Sequence, residues 1–131
     1  RRALAGGGVP AARVGYVNAH GTGTKLGDIA ETTALAEVFG VGGVPVSSTK
    51  ALTGHLLGAS GVLETAATAL ALGRGLLPPT YNLDEEDPAC PADHIRGEPR
   101  ATEAEYALTN SFGFGGQNVS LLLARTAGTR G

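Results

Sequence analysis

The chain has one cysteine, no methionine and no tryptophan in 131 residues, and only 5% of it is aromatic. The single thiol, Cys90, excludes an internal disulfide and any cysteine-rich zinc site, and no metal is expected. Charge is sparse at 17%, with 10 basic against 12 acidic residues and a formal net charge of −2. That balance leaves no electrostatic footprint for nucleic acid or an anionic membrane surface. No apolar run reaches the ~20 residues a membrane helix needs, and no signal-peptide pattern opens the sequence. The cytoplasm is therefore the expected compartment. A primary translation product starts with Met, whereas this sequence starts Arg1-Arg2. The expectation is a piece of a larger fold.

What is abundant is glycine, 21 of 131 residues against a usual ~7%, and it is clustered. Hydrophobic residues make up 42%, enough for a core. A helix end at residues 1–5 is stopped by Gly6-Gly7-Gly8. Residues 14–19 read as a strand. Asp28 and Glu31, three apart, read as a capping box opening a helix that runs to about Phe39 and buries Ile29, Leu35, Ala36, Val38 and Phe39. Residues 44–48 read as a strand with Pro45 at its start.

Residues 55–72 read as the longest helix, apolar or small nearly all round, with Glu64 its one charge. Such a helix needs cover on every side. The remaining strands, about four, suffice for one sheet, so one helix face is expected to stay uncovered. Residues 84–105 read as a polar, proline-rich loop. Two strands, 106–110 and 119–124, form a hairpin around the glycine turn 113–116. The order implies an α/β fold with a mixed sheet and a buried central helix.

Three glycine-rich turns follow strand ends, where α/β sheets hold ligands. The first carries His20, Thr22 and Thr24. The second carries Lys50 and, after Thr53-Gly54, His55. The third spans residues 110–118, including Gly113, Phe114 and Gly115. Two neutral histidines donating Nε2–H to one point would stabilise an oxyanion such as an enolate. Singly, each motif has an ordinary reading: a structural histidine, a solvated lysine, a capping box at Asp28 and Glu31, core for Phe112 and Phe114, and an inert thiol for Cys90. A dinucleotide loop at Gly21, Gly23 and Gly27 has the spacing GxGxxxG rather than GxGxxG, and no acidic residue ends the following strand.

Together the blocks Val17-Asn18-Ala19-His20-Gly21-Thr22-Gly23-Thr24, Ser47-Ser48-Thr49-Lys50-Ala51-Leu52-Thr53-Gly54-His55, Pro78-Pro79-Thr80-Tyr81-Asn82-Leu83 and Asn110-Ser111-Phe112-Gly113-Phe114-Gly115-Gly116-Gln117-Asn118 resemble the C-terminal part of a β-ketoacyl-acyl carrier protein synthase. The discrete type II elongating enzymes are the nearer resemblance. It implies the C-terminal half, incomplete, of a thiolase-like fold, with the nucleophilic Cys on an N-terminal half that no segment here matches. It implies decarboxylative Claisen condensation of an acyl chain with malonyl-carrier protein, in fatty acid or polyketide assembly. His20 and His55 match the catalytic histidines, Lys50 the lysine paired with a glutamate (Glu64), Thr22 and Thr24 the threonines that bind phosphopantetheine, and Phe114, between Gly113 and Gly115, the gating phenylalanine. No cofactor is expected to be bound; phosphopantetheine arrives on the acyl carrier protein. The implied partners are that carrier protein, the complementary half and a second copy of the completed synthase. A non-catalytic chain-length-factor role is the alternative, disfavoured by the two intact histidines.

Overall fold

The computed structural model describes residues 1–126. Its frame is a five-stranded mixed sheet in the order β4-β2-β1-β6-β7. β1 (Val14–Asn18) lies at the centre, parallel to both β2 (Pro45–Ser47) and β6 (Tyr106–Gly113). β6 turns back into β7 (Gln117–Ala124), pairing Tyr106 with Ala124 and Gly113 with Gln117. Both hairpin strands are longer than the sequence indicates.

Alternation on β6 sends Leu108 to one face of the sheet and Ala107 to the other. The first face packs with Val17, Val46, Leu4 of α1 (Arg2–Gly7) and Leu35 of α2 (Lys25–Phe39). The second packs with Tyr16, Leu77, Ile95 and with Ala71 and Leu72 of α4 (Ser60–Arg74). Tyr16 and Val14 point to opposite faces despite being two apart, because the register of β1 against β6 shifts between them. Gly75, at φ 65, ends α4 in the left-handed region and donates its N–H to the Leu72 carbonyl at 3.3 Å.

Three expectations are corrected. α2 starts at Lys25 with Thr24 at its N-cap, so Asp28 and Glu31 are not a capping box; Glu31 is buried and points to the first glycine turn. The long helix starts at Ser60, because Gly54 at φ 74 and Leu57 at φ 51 interrupt any helix from residue 55, leaving only the short α3 (Lys50–Thr53) and a 3-10 turn before it. The 84–105 stretch is not all loop: β4 (Asp93–His94) extends the main sheet beside β2, and β5 (Arg100–Ala101) pairs with β3 (Leu76–Leu77). Two-residue strands have no periodicity to read; they exist because a neighbouring edge offers partners, as when Ile95 N–H donates to the Val46 carbonyl at 2.8 Å.

One face of α4 is uncovered. Val62 is 75% exposed and Leu70 55%, while Ser60, Glu64 and Thr68 on the opposite face are buried. The helix packs on β6 and β7 of the main sheet and on β3, and among the described residues nothing covers its other side.

Candidate active site

The carboxyl ends of β1, β2 and β6 bring together groups that lie far apart in sequence. His20 follows β1, and the ring of His55 stands 5.6 Å from it, edge to face. His55 sits in the turn between α3 and α4. Phe112, near the end of β6, lies 5.4 Å from His20 on another side. Beneath the histidines, Lys50 and Glu64 form a buried ion pair, Nζ to Oε1 at 2.5 Å. A buried pair of this kind holds only while both partners are present. Glu64 Oε2 has no protein partner among the described residues.

The tautomers follow from the donors around each ring. The backbone N–H of Leu57 can only donate, and it meets His55 Nδ1 at 3.2 Å. The Ser60 hydroxyl meets the same nitrogen at 2.9 Å. His55 Nδ1 is therefore an acceptor, and a neutral His55 carries its proton on Nε2. The Lys50 ammonium, also donor only, meets His20 Nδ1 at 3.4 Å, with the same consequence for His20. The His20 pKa is lowered from its usual value, first by burial and then by the positive charge of Lys50 and by His55. Both rings, when neutral, are thus arranged to offer an Nε2–H.

Leu57 reaches His55 because it takes φ 51, a left-handed conformation unusual for a leucine. Gly21 is constrained differently: φ is 36 and an added Cβ would lie 2.6 Å from Ser48 Cβ. The Ser48 hydroxyl donates to the Gly21 carbonyl at 2.8 Å, tying the first turn to the second.

Thr22 and Thr24 lie in the exposed part of the first turn, their hydroxyls 3.2 Å apart. In the third turn the core reading fails for Phe114. Phe114 stands at its tip, fully exposed, and does not reach the histidines; Phe112 is the aromatic beside them. Gly113 ends β6, and Gly115 takes φ 79 in the tight turn. A cavity of about 520 Å³ opens beside the site, its lining including Thr22, Lys50, His55, Tyr81, Cys90 and His94.

Residues beyond those predicted complete the site. Asn18, fully buried at the end of β1, donates from Nδ2 to Thr68 Oγ1 at 3.2 Å and Thr49 Oγ1 at 3.3 Å. Ser60 and Thr68 flank the predicted Glu64 at four-residue spacing along a largely apolar helix, making a polar stripe on one face. That spacing was the signal for them, as an Asn at the end of an apolar strand was for Asn18. Among the described residues no group of three or more His, Cys, Asp and Glu is arranged to hold a metal ion, and no helix is long and apolar enough to cross a membrane.

A mixed sheet with a histidine pair and a buried lysine at its strand ends is what the ketosynthase resemblance implies. Residues 1–84 match the family described as beta-ketoacyl synthase, C-terminal domain, and the chain belongs to that family. It is 47% identical over 121 residues to the 3-oxoacyl-[acyl-carrier-protein] synthase 2 of Synechocystis sp., covering 91% of this chain and 29% of that one. A crystal structure of a beta-ketoacyl synthase from Burkholderia phymatum superposes with a TM-score of 0.91 at 49% identity, covering 94% of this chain and 30% of that one. A type II polyketide ketosynthase, solved in complex with its acyl-carrier protein and bound to a hexaketide, superposes equally well, TM-score 0.91, at 31% identity over 95% of this chain and 31% of that one. The chain thus spans about three-tenths of the length of these relatives.

Proposed function

We propose that this chain supplies the decarboxylating side of a β-ketoacyl-acyl carrier protein synthase acting in fatty acid assembly. The observation that carries the reading is the histidine pair, 5.6 Å apart, with each Nδ1 facing a donor. When a malonyl thioester loses carbon dioxide, the electrons of the broken C–C bond pass into an enolate whose oxygen becomes negative. Two Nε2–H donors held in advance stabilise that oxygen without reorganising during the reaction. The enolate carbon then attacks an acyl thioester, a C–C bond forms, and the cysteine sulfur leaves as thiolate.

That cysteine is supplied, on this reading, by a complementary N-terminal half. Cys90 is half-buried in the wall of the adjoining cavity and has no part in the step. The acyl carrier protein brings the malonyl group on phosphopantetheine, and the Thr22 and Thr24 hydroxyls supply hydrogen bonds to that arm. Gly113, Phe114 and Gly115 line its approach. No further cofactor is required, the completed synthase is a dimer, and its compartment is the cytoplasm. A non-catalytic chain-length role has no support from a site that retains both imidazoles and the ammonium.

The test is malonyl-carrier protein decarboxylation by the completed synthase. His20→Ala and His55→Ala should each lose roughly 10²–10³ in rate, the usual consequence of removing one oxyanion donor, while acyl transfer to the cysteine suffers less. Parent decarboxylation rates in both variants would overturn the reading.

A further inference from the structure

Three hydroxyl side chains lie along α4, and two of them serve the helix itself. Thr65 donates to the Gly61 carbonyl at 2.6 Å and Thr68 to the Glu64 carbonyl at 2.7 Å, the usual bond back to the residue four earlier. Ser60 does not. It is the first residue of α4, behind Ala59 at the N-cap, and no side chain caps that helix start. Its hydroxyl is aimed out of the helix at His55 Nδ1, 2.9 Å away, its one hydrogen bond among the described residues. The residue is 5% exposed.

We propose that Ser60 is a positioning residue for His55: its hydroxyl donates to Nδ1, fixes the plane of the ring and holds the proton on Nε2. The Leu57 amide reaches the same nitrogen at 3.2 Å, but from a weaker footing. Leu57 stands in an exposed 3-10 turn at φ 51, and such turns have the poorer hydrogen-bond geometry. Ser60 opens a 15-residue helix packed on β6, so the origin of its side chain is set by the core of the fold. A buried hydroxyl needs a partner, and Nδ1 is the one it has. The His20 ring packs edge to face against His55, so a swing of the second ring also disturbs the first. The proposal rests on the decarboxylation reading and adds to it a residue that touches no substrate.

Alanine separates this role from packing, because it is the better helix former and lacks only the hydroxyl. In the complete synthase, Ser60→Ala should lower kcat for malonyl decarboxylation about three- to ten-fold, the scale of one neutral hydrogen bond, with KM near the parent value. Ser60→Thr, which keeps the hydroxyl, should recover most of the rate. A packing role would leave the Ala variant at the parent rate or better. The ring offers a second readout that needs no substrate. With ¹⁵N-labelled histidine at alkaline pH, where a histidine ring is neutral, loss of a donor should move the His55 Nδ1 resonance downfield in the Ala variant and leave it near the parent position in the Thr variant. Should the Ala variant fail to fold, Ser60→Cys, a weaker donor of similar shape, takes its place with a smaller loss of rate and a smaller shift. Parent kcat in Ser60→Ala, an unmoved Nδ1 resonance, or a Thr variant no faster than the Ala variant would overturn the proposal. If His55→Ala is slow and Ser60→Ala is not, only the assignment of Ser60 falls; if both run at the parent rate, the decarboxylation reading has failed as well.

Discussion

The two faces of α4 are built the wrong way round for a helix on a free-standing domain. The face against the sheet carries Ser60, Glu64 and Thr68, all buried, and the outward face carries Val62, Leu63, Ala66 and Leu70, all exposed. Each inner polar group has a partner in the site: Ser60 meets His55, Glu64 holds Lys50, and Thr68 meets Asn18. The outer groups have none. The inner face is therefore shaped by chemistry, and on the function proposed above the outer face is where the complementary half lies. Buried polarity here is partnered, Glu64 Oε2 excepted, whereas the exposed apolar stripe has no partner among the described residues.

The largest effect expected from this contrast is on assembly. Val62→Lys with Leu70→Lys should cost the completed synthase several kcal/mol, since each apolar side chain contributes roughly 1.5–3 kcal/mol when fully buried. The same pair should leave the stability of the chain alone nearly unchanged and reduce its self-association. Comparing melting curves and sedimentation for both forms checks it; equal tolerance in both would mean nothing covers that face.

On the inner face, Lys50→Ala leaves Glu64 buried without its cation, which costs about 3–5 kcal/mol for a buried pair. Replacing both by Met and Leu should be milder than Lys50→Ala alone. Denaturant titration of the two variants decides, and a double variant less stable than the single would refute the pairing argument.

A smaller effect is expected at Leu57. Glycine there relieves a left-handed leucine, a strain of about 1 kcal/mol, yet loosens the amide that holds His55 Nδ1. The midpoint of melting should hold or rise slightly while decarboxylation slows. A variant that loses both stability and rate would show that the leucine side chain, 77% exposed, matters more than its backbone.

The smallest effect is on pH. The folded-state pKa of His20 lies below the unfolded value near 6.5, so the unfolded chain binds more protons between the two. Stability linked to this residue is present above pH 6.5 and falls as pH drops through that window. Because His20 is only part-buried, the slope should be shallow, and His20→Gln should remove it. Melting curves at pH 7.5 and 5.5 read it directly.

Much of this was legible from residue order alone. Strand ends followed by glycine turns placed His20, Lys50 and His55 at one edge of a sheet, and the all-apolar helix implied more cover than one sheet provides. Local chemistry decides such features, because turns need particular φ values and a helix needs its apolar residues packed. What the linear pattern could not carry was partnership between distant groups. Glu31, three residues after Asp28, satisfies a capping-box spacing, and only the folded chain turns its carboxylate onto the amides of His20 and Gly21. Phe112 and Phe114 are equivalent in sequence, two apart on one glycine-rich stretch; the end of β6 sends one to His20 and leaves the other in solvent. β4 is a strand only because β2 has an edge beside it. Hydrogen-bond donors, acceptors and strand edges have no direction until the backbone is folded. The sequence by itself therefore determined which residue types stand at the strand ends, and tertiary structure alone decided which of them meet.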